Sequence, residues 1–161
     1  MKRIELTTPG VYALVDDDDY GRLVEHNWWL NPDGYAKSKI SGKTTSMNGL
    51  ILQPDPGLET DHINHDNLDN RRANLRICTP SQNQANTKKR PGCSSRFKGV
   101  SWEKRECKWQ AYIKVNGKQR NLGHFTDEQD AARAYDEAAR QMFGEFALCN
   151  FEQLYGAEGS E

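Results

Sequence analysis

Apolar and polar residues alternate most regularly between residues 108 and 125. In residues 108–115 every second side chain is apolar, at Trp109, Ala111, Ile113 and Val115. This period of two predicts a strand with one buried face. The dipeptide Asn116-Gly117 is a hairpin signal, and residues 118–125 predict the returning strand. Residues 97–102, FKGVSW, predict a third strand of the same sheet.

A helical spacing of small apolar residues follows this sheet. Thr126-Asp127-Glu128-Gln129 matches a capping box, and Gly144 is a stop signal. One face of the predicted helix would carry Ala131, Ala134, Tyr135, Ala138, Ala139 and Met142. Because alanine side chains are short, such a face allows a helix to lie close on a sheet. The pattern therefore predicts a three-stranded antiparallel sheet packed on one helix.

The N-terminal third, residues 1–53, contains short apolar runs separated by Pro-Gly, Asp-Gly, Ser-Gly and Asn-Gly. This punctuation predicts a small β subdomain. We expect Trp28, Trp29 and Tyr35 to be core or sheet-face residues. We expect the acidic run 16–19 to be a solvated turn, because no further residues follow at the spacing of a calcium loop.

Residues 54–88 predict a different unit. LETDHI and NLRICT each predict a short strand, and the polar segment between them is too long for a tight hairpin. Thr79, Pro80 and Gln82 then form a capping signature, which predicts a helix over residues 80–88. The expected fold class is α+β. The expected domain organisation is a β subdomain at 1–53, the strand–loop–strand–helix unit at 54–88, a basic linker at 89–96, a further folded domain at 97–151 and a tail at 152–161.

Charge is segregated along the chain although the net charge is only −1. Residues 67–125 carry 14 cationic and 3 acidic side chains, a net charge of +11. A block of this size and sign indicates a polyanion as the partner, and phosphates of nucleic acid fit it best. Lys88, Lys89 and Arg90 open the linker, where we expect them to contact the phosphate backbone or to act as a plain spacer.

The remaining composition excludes several classes of protein. No apolar run reaches the length of a membrane span, and the N-terminus has no apolar stretch typical of a signal peptide. We therefore expect a soluble protein of the cytoplasm, without a membrane partner. Cys78, Cys93, Cys107 and Cys149 form no C-x-x-C pair, which favours free thiols over a zinc site or disulfides.

Candidate chemistry is concentrated at the end of the first strand of residues 54–88. Hydrolysis of a phosphodiester needs a base that activates water and a cation that holds the phosphoryl charge. His62 suits the base, and oxygens of Asp61 and Asn83 suit Mg²⁺ or Mn²⁺. Asp and Asn are equally common as turn formers, so the residues alone leave a structural explanation open.

The segment DHINHDNLDNRRANLRICTPSQNQAN resembles the core of the HNH homing endonucleases, the ββα-metal nucleases of phages and mobile introns. The resemblance rests on D-H-I-N, L-D-N-R-R-x-N-L-R and T-x-x-x-N. It implies that His62 is the general base and that Asp61 and Asn83 bind one divalent metal. It also implies that Asn74 pins the loop and orients His62. The family's usual Gly after D-H-I-N is His65 here. Arg71 and Arg72 of the second motif are expected DNA contacts.

Residues 97–151 are similar to the DNA-binding domain of ethylene-response factors of the Apetala type. G-V-x-W, K-W-x-A, L-G-x-F and A-A-x-A-Y-D-x-A-A carry the similarity. It implies that the three-stranded sheet enters the major groove. The expected DNA-contacting residues are Lys98, Ser101, Trp102, Lys104, Lys108, Gln110, Tyr112, Lys114, Gln119 and Asn121.

Together these features predict a site-specific DNA endonuclease of homing type, which uses Mg²⁺ or Mn²⁺ and acts on double-stranded DNA as a monomer or homodimer. No obligate protein partner is evident. Two alternatives stay open: a catalytically silent, sequence-specific DNA-binding regulator, and a nuclease that processes RNA. B-form DNA suits a groove-inserting sheet better than A-form RNA does.

Overall fold

The computed structural model describes residues 1–89 and 91–151 and confirms the α+β fold class. Arg90 and the predicted tail at 152–161 lie outside the described residues. The chain divides into two compact units, Met1–Asn83 and Gln84–Glu161. No helix of the described part is long and apolar enough to cross a lipid bilayer.

The first unit contains three small antiparallel sheets and two short helices. The first two sheets pair β1 (Lys2–Glu5) with β2 (Tyr12–Val15), and order β3 (Trp29–Leu30), β4 (Ala36–Ile40) and β5 (Lys43–Ser46) side by side. The third sheet pairs β6 (Glu59–His62) with β7 (Leu75–Cys78). The helices are α1 (Asp17–Val24) and α2 (Met47–Leu52).

One apolar core fills this unit. Its buried members come from β1, β2, α1, β4, α2 and β7, and they include Ile4, Val15, Leu23, Trp28, Met47 and Leu75. The Trp28 side chain is only 1% exposed, and its indole N–H donates to the Leu23 carbonyl at 2.7 Å. Trp28 is therefore a core residue, as the sequence predicted. Because β7 contributes Leu75, the β6–β7 hairpin and the N-terminal strands share one core.

The expectation that the acidic run is a solvated turn is wrong. Helix α1 begins at Asp17, and Asp19 is 2% exposed. The Asp19 carboxylate accepts hydrogen bonds from Arg22 and, far along the chain, from Arg72. These arginines hold the pKa of Asp19 below its usual value although burial acts in the opposite direction. One cation of the same helix and one from a distant segment thus stabilise a helix where the local pattern indicates a turn.

Helix α3 (Pro80–Asn86) follows β7 and contains the division between the units. Its capping box is present as predicted: the Gln82 N–H donates to the Thr79 hydroxyl, and the Thr79 N–H donates to Gln82 Oε1. The helix ends at Asn86, two residues before the predicted position 88. Apart from this difference, the structure contains the predicted succession of strand, loop, strand and helix.

The second unit is a three-stranded antiparallel sheet with a long helix. β8 (Val100–Glu103), β9 (Lys108–Val115) and β10 (Lys118–Phe125) lie in the order β10-β9-β8, and α4 spans Glu128–Phe143. Asn116 and Gly117 both have positive φ, 49° and 78°, as the predicted two-residue hairpin turn requires. The strands of residues 108–125 therefore occupy the predicted positions.

Details of α4 differ from the prediction. Asp127, rather than Thr126, caps the helix, because its carboxylate accepts from the Gln129 and Asp130 N–H groups. Met142 is exposed, and its neighbour Phe143 is buried in its place. The remaining predicted face packs on the sheet, with Ala131, Ala132, Tyr135, Ala138 and Ala139 among the buried residues. Because Thr126 and Asp127 are both good N-cap residues, the sequence places the start of this helix only to within one position.

A buried carboxylate fixes the segment after α4. Asp136 is 1% exposed and accepts hydrogen bonds from the backbone N–H groups of Asn150 and Phe151. The Asn150 side chain also joins this segment to the strand region, since its amide donates to the Lys98 carbonyl at 3.0 Å.

Cys78, Cys93, Cys107 and Cys149 are free thiols, as expected.

Gly99 lies against the ring of Tyr135. Its φ is +73°, a conformation that favours glycine, and a Cβ built on it would meet the Tyr135 ring at 1.9 Å. No real side chain tolerates that separation. The helix can approach the sheet closely at this point because residue 99 has no side chain.

We expect Gly99→Ala to destabilise the second unit by about 2–4 kcal/mol, since it adds overpacking to backbone strain. Gly117→Ala is the matched control, because Gly117 has a φ of +78° but nothing within 4 Å of the added Cβ. The control should lower the free energy of unfolding by only about 1 kcal/mol. Urea unfolding measures both, and equal losses would show that the contact with Tyr135 is unimportant.

Candidate active site

The β6–β7 hairpin places Asp61 and His62 at the end of a strand. In its register Asp61 lies opposite Arg76, and His62 lies opposite Leu75. Neighbouring residues of a strand point to opposite faces, so Asp61 shares a face with Glu59 and Arg76. Both Asp61 and His62 are buried, at 6% and 4% exposure. The predicted base and the predicted metal ligand are therefore adjacent and shielded from bulk water.

The imidazole of His62 is held by Asn70, a residue that the sequence did not single out. His62 Nε2 and Asn70 Oδ1 are 3.2 Å apart, and Asn70 Nδ2 points to the Asn67 carbonyl at 3.5 Å. In the tautomer that carries its proton on Nε2, this nitrogen donates to Asn70 Oδ1 and the basic lone pair lies on Nδ1. Burial lowers the pKa of His62, opposed by the Asn70 hydrogen bond and nearby carboxylates. Because burial is the larger effect, the lowered pKa keeps the ring neutral, and a neutral ring can accept a proton.

Tyr35 forms one wall of this site. Its ring centroid lies 5.8 Å from that of His62, and the two ring planes are inclined by 48°. Burial raises the pKa of Tyr35, with a further contribution from the charge of Asp61. Asn31 fixes the turn that carries Tyr35, since its side chain accepts the Tyr35 N–H at 2.7 Å. Tyr35 is thus more than the sheet-face residue that the sequence indicated.

The loop after β6 is held by amide side chains. Asn74 Oδ1 accepts the Asn64 N–H at 3.0 Å, and Asn74 Nδ2 donates to the Asp69 carbonyl at 2.7 Å. Asn64 also donates through its own side chain to the Asp69 carboxylate. Asn74 therefore ties the two ends of the loop together, while the side chain that contacts the His62 ring is Asn70. The L-D-N-R-R motif already contained that asparagine.

His65 occupies a position that favours glycine. Its φ is +63°, in the left-handed region. This explains why the resembling family usually has Gly after D-H-I-N. His65 adopts this conformation although it carries a side chain.

Arg71 and Arg72, two expected DNA contacts, form ion pairs within the first unit. Arg71 donates two hydrogen bonds to the Asp69 carboxylate, at 2.7 and 2.6 Å. Arg72 binds Asp19 in the same way, at 2.8 and 2.9 Å. Their guanidinium groups hold loop and helix in place, which accounts for these residues without DNA.

Asp61 is also paired. Arg76 Nε and Nη2 both lie 2.8 Å from Asp61 Oδ2. The side chains are 13% and 7% exposed, so this is a largely buried ion pair. It supplies the counter-charge that a buried carboxylate requires.

Asn83, the second predicted metal ligand, is fixed by Glu59. Asn83 Nδ2 donates to Glu59 Oε2 at 2.6 Å, and Glu59 lies on the same strand face as Asp61. Cys78 lies opposite Glu59 in the register, and burial raises the pKa of its thiol to about 11. Among the described residues, no three His, Cys, Asp or Glu side chains form a metal-binding group. A carboxylate with an amide oxygen nevertheless fits Mg²⁺, which often takes few protein ligands and keeps several waters.

The C-terminal sheet has one face away from α4. Residues opposite one another in the register share a face. The outer face therefore joins Ser101 with Gln110, Glu103 with Lys108, Tyr112 with Asn121, and Lys114 with Gln119. Lys104 lies in the turn between β8 and β9. Eight of the ten expected DNA-contacting residues of this domain are thus on this face or at its rim.

The other two residues are placed differently. Trp102 pairs with Trp109 on the helix-side face, their ring centroids 5.0 Å apart. The Lys98 ammonium donates to the carbonyls of Gln84, Ala85 and Thr87 at the end of α3. Burial lowers the pKa of Lys98 to about 8. Of the linker lysines, Lys88 is exposed, and Lys89 donates to the Val100 carbonyl at 3.4 Å.

The sequence matches the family model of an HNH endonuclease over residues 48–85, which contain the whole β6–β7 hairpin. It is 32% identical over 149 residues to an HNH endonuclease of Acanthamoeba polyphaga mimivirus, covering 88% of this chain and 75% of the relative. It is also 32% identical over 102 residues to protein 3.8 of Escherichia phage T7, covering 63% of this chain and 81% of that protein. The chain belongs to the HNH endonuclease family.

A further similarity concerns part of the chain only. An AP2-like ethylene-responsive transcription factor of Arabidopsis thaliana is 40% identical over 73 residues, which are 45% of this chain and 15% of that factor. The match covers a small part of the plant protein.

We expect Asn74→Ala to lower the free energy of unfolding of the first unit by about 2–4 kcal/mol, because two buried hydrogen-bonding groups lose their partner. Asn67→Ala is the control, since it removes one exposed hydrogen bond, to the Asp33 carbonyl, from the same loop. It should cost less than about 1 kcal/mol. Chemical denaturation of the two variants tests this, and a loss for Asn74→Ala no larger than that of the control would contradict it.

Proposed function

We propose that this chain is a site-specific DNA endonuclease of homing type that hydrolyses a phosphodiester bond of double-stranded DNA with a divalent metal ion. The observation that carries the proposal is His62 beside Asp61 at the strand end, with Nε2 held by Asn70 so that Nδ1 is the basic nitrogen. Membership of a nuclease family supports the class of reaction.

In this proposal His62 takes a proton from water through Nδ1 while the water oxygen attacks phosphorus. The bond from phosphorus to the leaving deoxyribose oxygen then breaks. Asn70 keeps the ring in the required orientation, and Tyr35 shields one side of it. Burial of the histidine keeps it neutral and therefore ready to accept the proton.

Asp61 and Asn83 would hold the metal, as Mg²⁺ or Mn²⁺, through a carboxylate and an amide oxygen. Glu59 binds Asn83 Nδ2 and thereby turns the amide oxygen away from itself, a positioning role. The ion would neutralise charge on the phosphoryl and leaving oxygens. Residues 54–88 are thus proposed as the catalytic segment.

The C-terminal residues 97–151 are proposed to read the DNA sequence. The outer sheet face offers amide, hydroxyl and ammonium groups, the types that contact base edges and phosphates. Residues 89–96 would add sequence-independent affinity. A second candidate, a DNA-binding protein without catalysis, is favoured by the similarity to a plant transcription factor. Cleavage by the purified chain distinguishes the two.

We expect purified protein with Mg²⁺ to cut supercoiled plasmid that carries the flanking DNA of its own gene, and EDTA to stop it. His62→Ala should lower the cleavage rate by about 10²–10⁴-fold while DNA binding persists, since the base is not needed to hold phosphates. His26→Ala is the control for loss of an imidazole and should leave the cleavage rate unchanged. The His26 ring packs edge-on against the core residue Trp28 and takes no part in the proposed site. Cleavage by His62→Ala at the rate of the unmodified chain would refute the assignment.

The outer sheet face and the linker should differ in their effect on binding. Gln110→Ala is expected to relax sequence preference, at about 1–3 kcal/mol for a lost base contact. Lys88→Ala should weaken all sequences alike and reduce the salt slope by about 1. Arg133→Ala, on α4 behind the sheet, should leave both unchanged. The test is to measure the DNA affinity of each variant over a series of salt concentrations. A loss of affinity in Lys88→Ala that depends on the DNA sequence would contradict the proposed roles of the sheet face and the linker.

A further inference from the structure

Three arginines of the L-D-N-R-R-x-N-L-R segment have different partners. Arg71 and Arg72 bind Asp69 and Asp19, carboxylates that hold the loop and α1. Arg76 binds Asp61, the carboxylate that the proposed function assigns to the metal. Arg76 is therefore the cation of this segment whose partner belongs to the proposed catalytic group.

We propose that Arg76 is a further active-site residue: it occupies Asp61 Oδ2 before metal binds, competes with the metal for that carboxylate, and contacts the scissile phosphate once the metal is in place. This inference rests on the proposed function, because it takes Asp61 as a metal ligand. It goes beyond that function by giving the site a competing internal cation.

The geometry of the ion pair is the first support. Two N–H groups of one guanidinium, Nε and Nη2, converge on a single carboxylate oxygen at 2.8 Å. A divalent ion would be coordinated by the same carboxylate. Two cations on one carboxylate repel each other strongly where water is largely excluded. Arg76 and the metal therefore cannot both keep their strongest contact with Asp61.

The position of Arg76 is the second support. It lies on β7 directly after Leu75, the residue opposite His62, and directly opposite Asp61. Arg76 therefore shares the strand face of Asp61. A phosphate bound to a metal on Asp61 would thus lie beside the guanidinium. Arginine suits this because its planar fork binds phosphate through two parallel hydrogen bonds. The negative charge of the phosphate would offset the repulsion between Arg76 and the metal.

Calorimetric titration of the full chain with Mn²⁺, without DNA, measures the competition. Arg76→Gln should bind Mn²⁺ about 5–10-fold more tightly than the unmodified chain, a difference near 1 kcal/mol. With plasmid DNA its cleavage rate should fall by about 10²–10³-fold, the size of a lost group that stabilises developing charge. Arg71→Gln is the matched control and should leave the Mn²⁺ affinity unchanged. It removes an arginine of the same segment, but that arginine is paired with Asp69 and not with Asp61.

Mn²⁺ affinity of Arg76→Gln equal to or below that of the unmodified chain would overturn the inference, as would undiminished cleavage. Should this variant fail to fold, Arg76→Met decides: it keeps a long side chain but removes the positive charge beside Asp61, so Mn²⁺ affinity must again rise.

Asp61→Ala separates this inference from the proposed function. If Asp61→Ala binds Mn²⁺ as well as the unmodified chain does, the metal ligands lie elsewhere and the proposed function fails in that part, together with the inference. If Asp61→Ala loses Mn²⁺ binding while Arg76→Gln behaves like the unmodified chain, only the role of Arg76 fails.

Discussion

The loop between β6 and β7 has to be rigid without regular structure of its own, and the geometry of the site depends on this. Residues 63–71, all within the described chain, form neither helix nor strand. Side-chain amides and the Asp69 carboxylate replace the missing backbone ladder. The loop is also anchored to β2, since Leu14 donates to the Leu68 carbonyl and accepts from the Asn70 N–H. Asn70 can hold His62 because its own backbone is fixed at this point.

Much of the fold follows from local patterns. The strands of residues 108–125, the Asn-Gly turn and the capping box at Thr79 are all encoded within a few neighbouring residues. Helix α1 is different, because its acidic first turn is stabilised by Arg72, whose position 53 residues along the chain no local pattern reveals. Local patterns accordingly predict residues 1–53 as strands alone, although these residues contain α1 and α2 as well.

The candidate site was predictable in part for the same reason. Asp61 and His62 are adjacent in sequence, so one motif places them together. Asn70, Tyr35 and Glu59 reach their partners across 8, 27 and 24 residues, and only the folded chain shows those contacts. Four cations of the central segment also have partners within the protein, which a count of charges does not reveal: Arg71, Arg72, Arg76 and Lys98.

The contact of Gly99 with Tyr135 also has an evolutionary consequence. A side chain at residue 99 can be accommodated only if the ring at residue 135 is lost, so neither position can change freely by itself. Relatives of the C-terminal unit should therefore keep the glycine and the aromatic residue together or replace both. Such coupled change would leave a record of helix-on-sheet packing even in relatives whose outer sheet face has diverged.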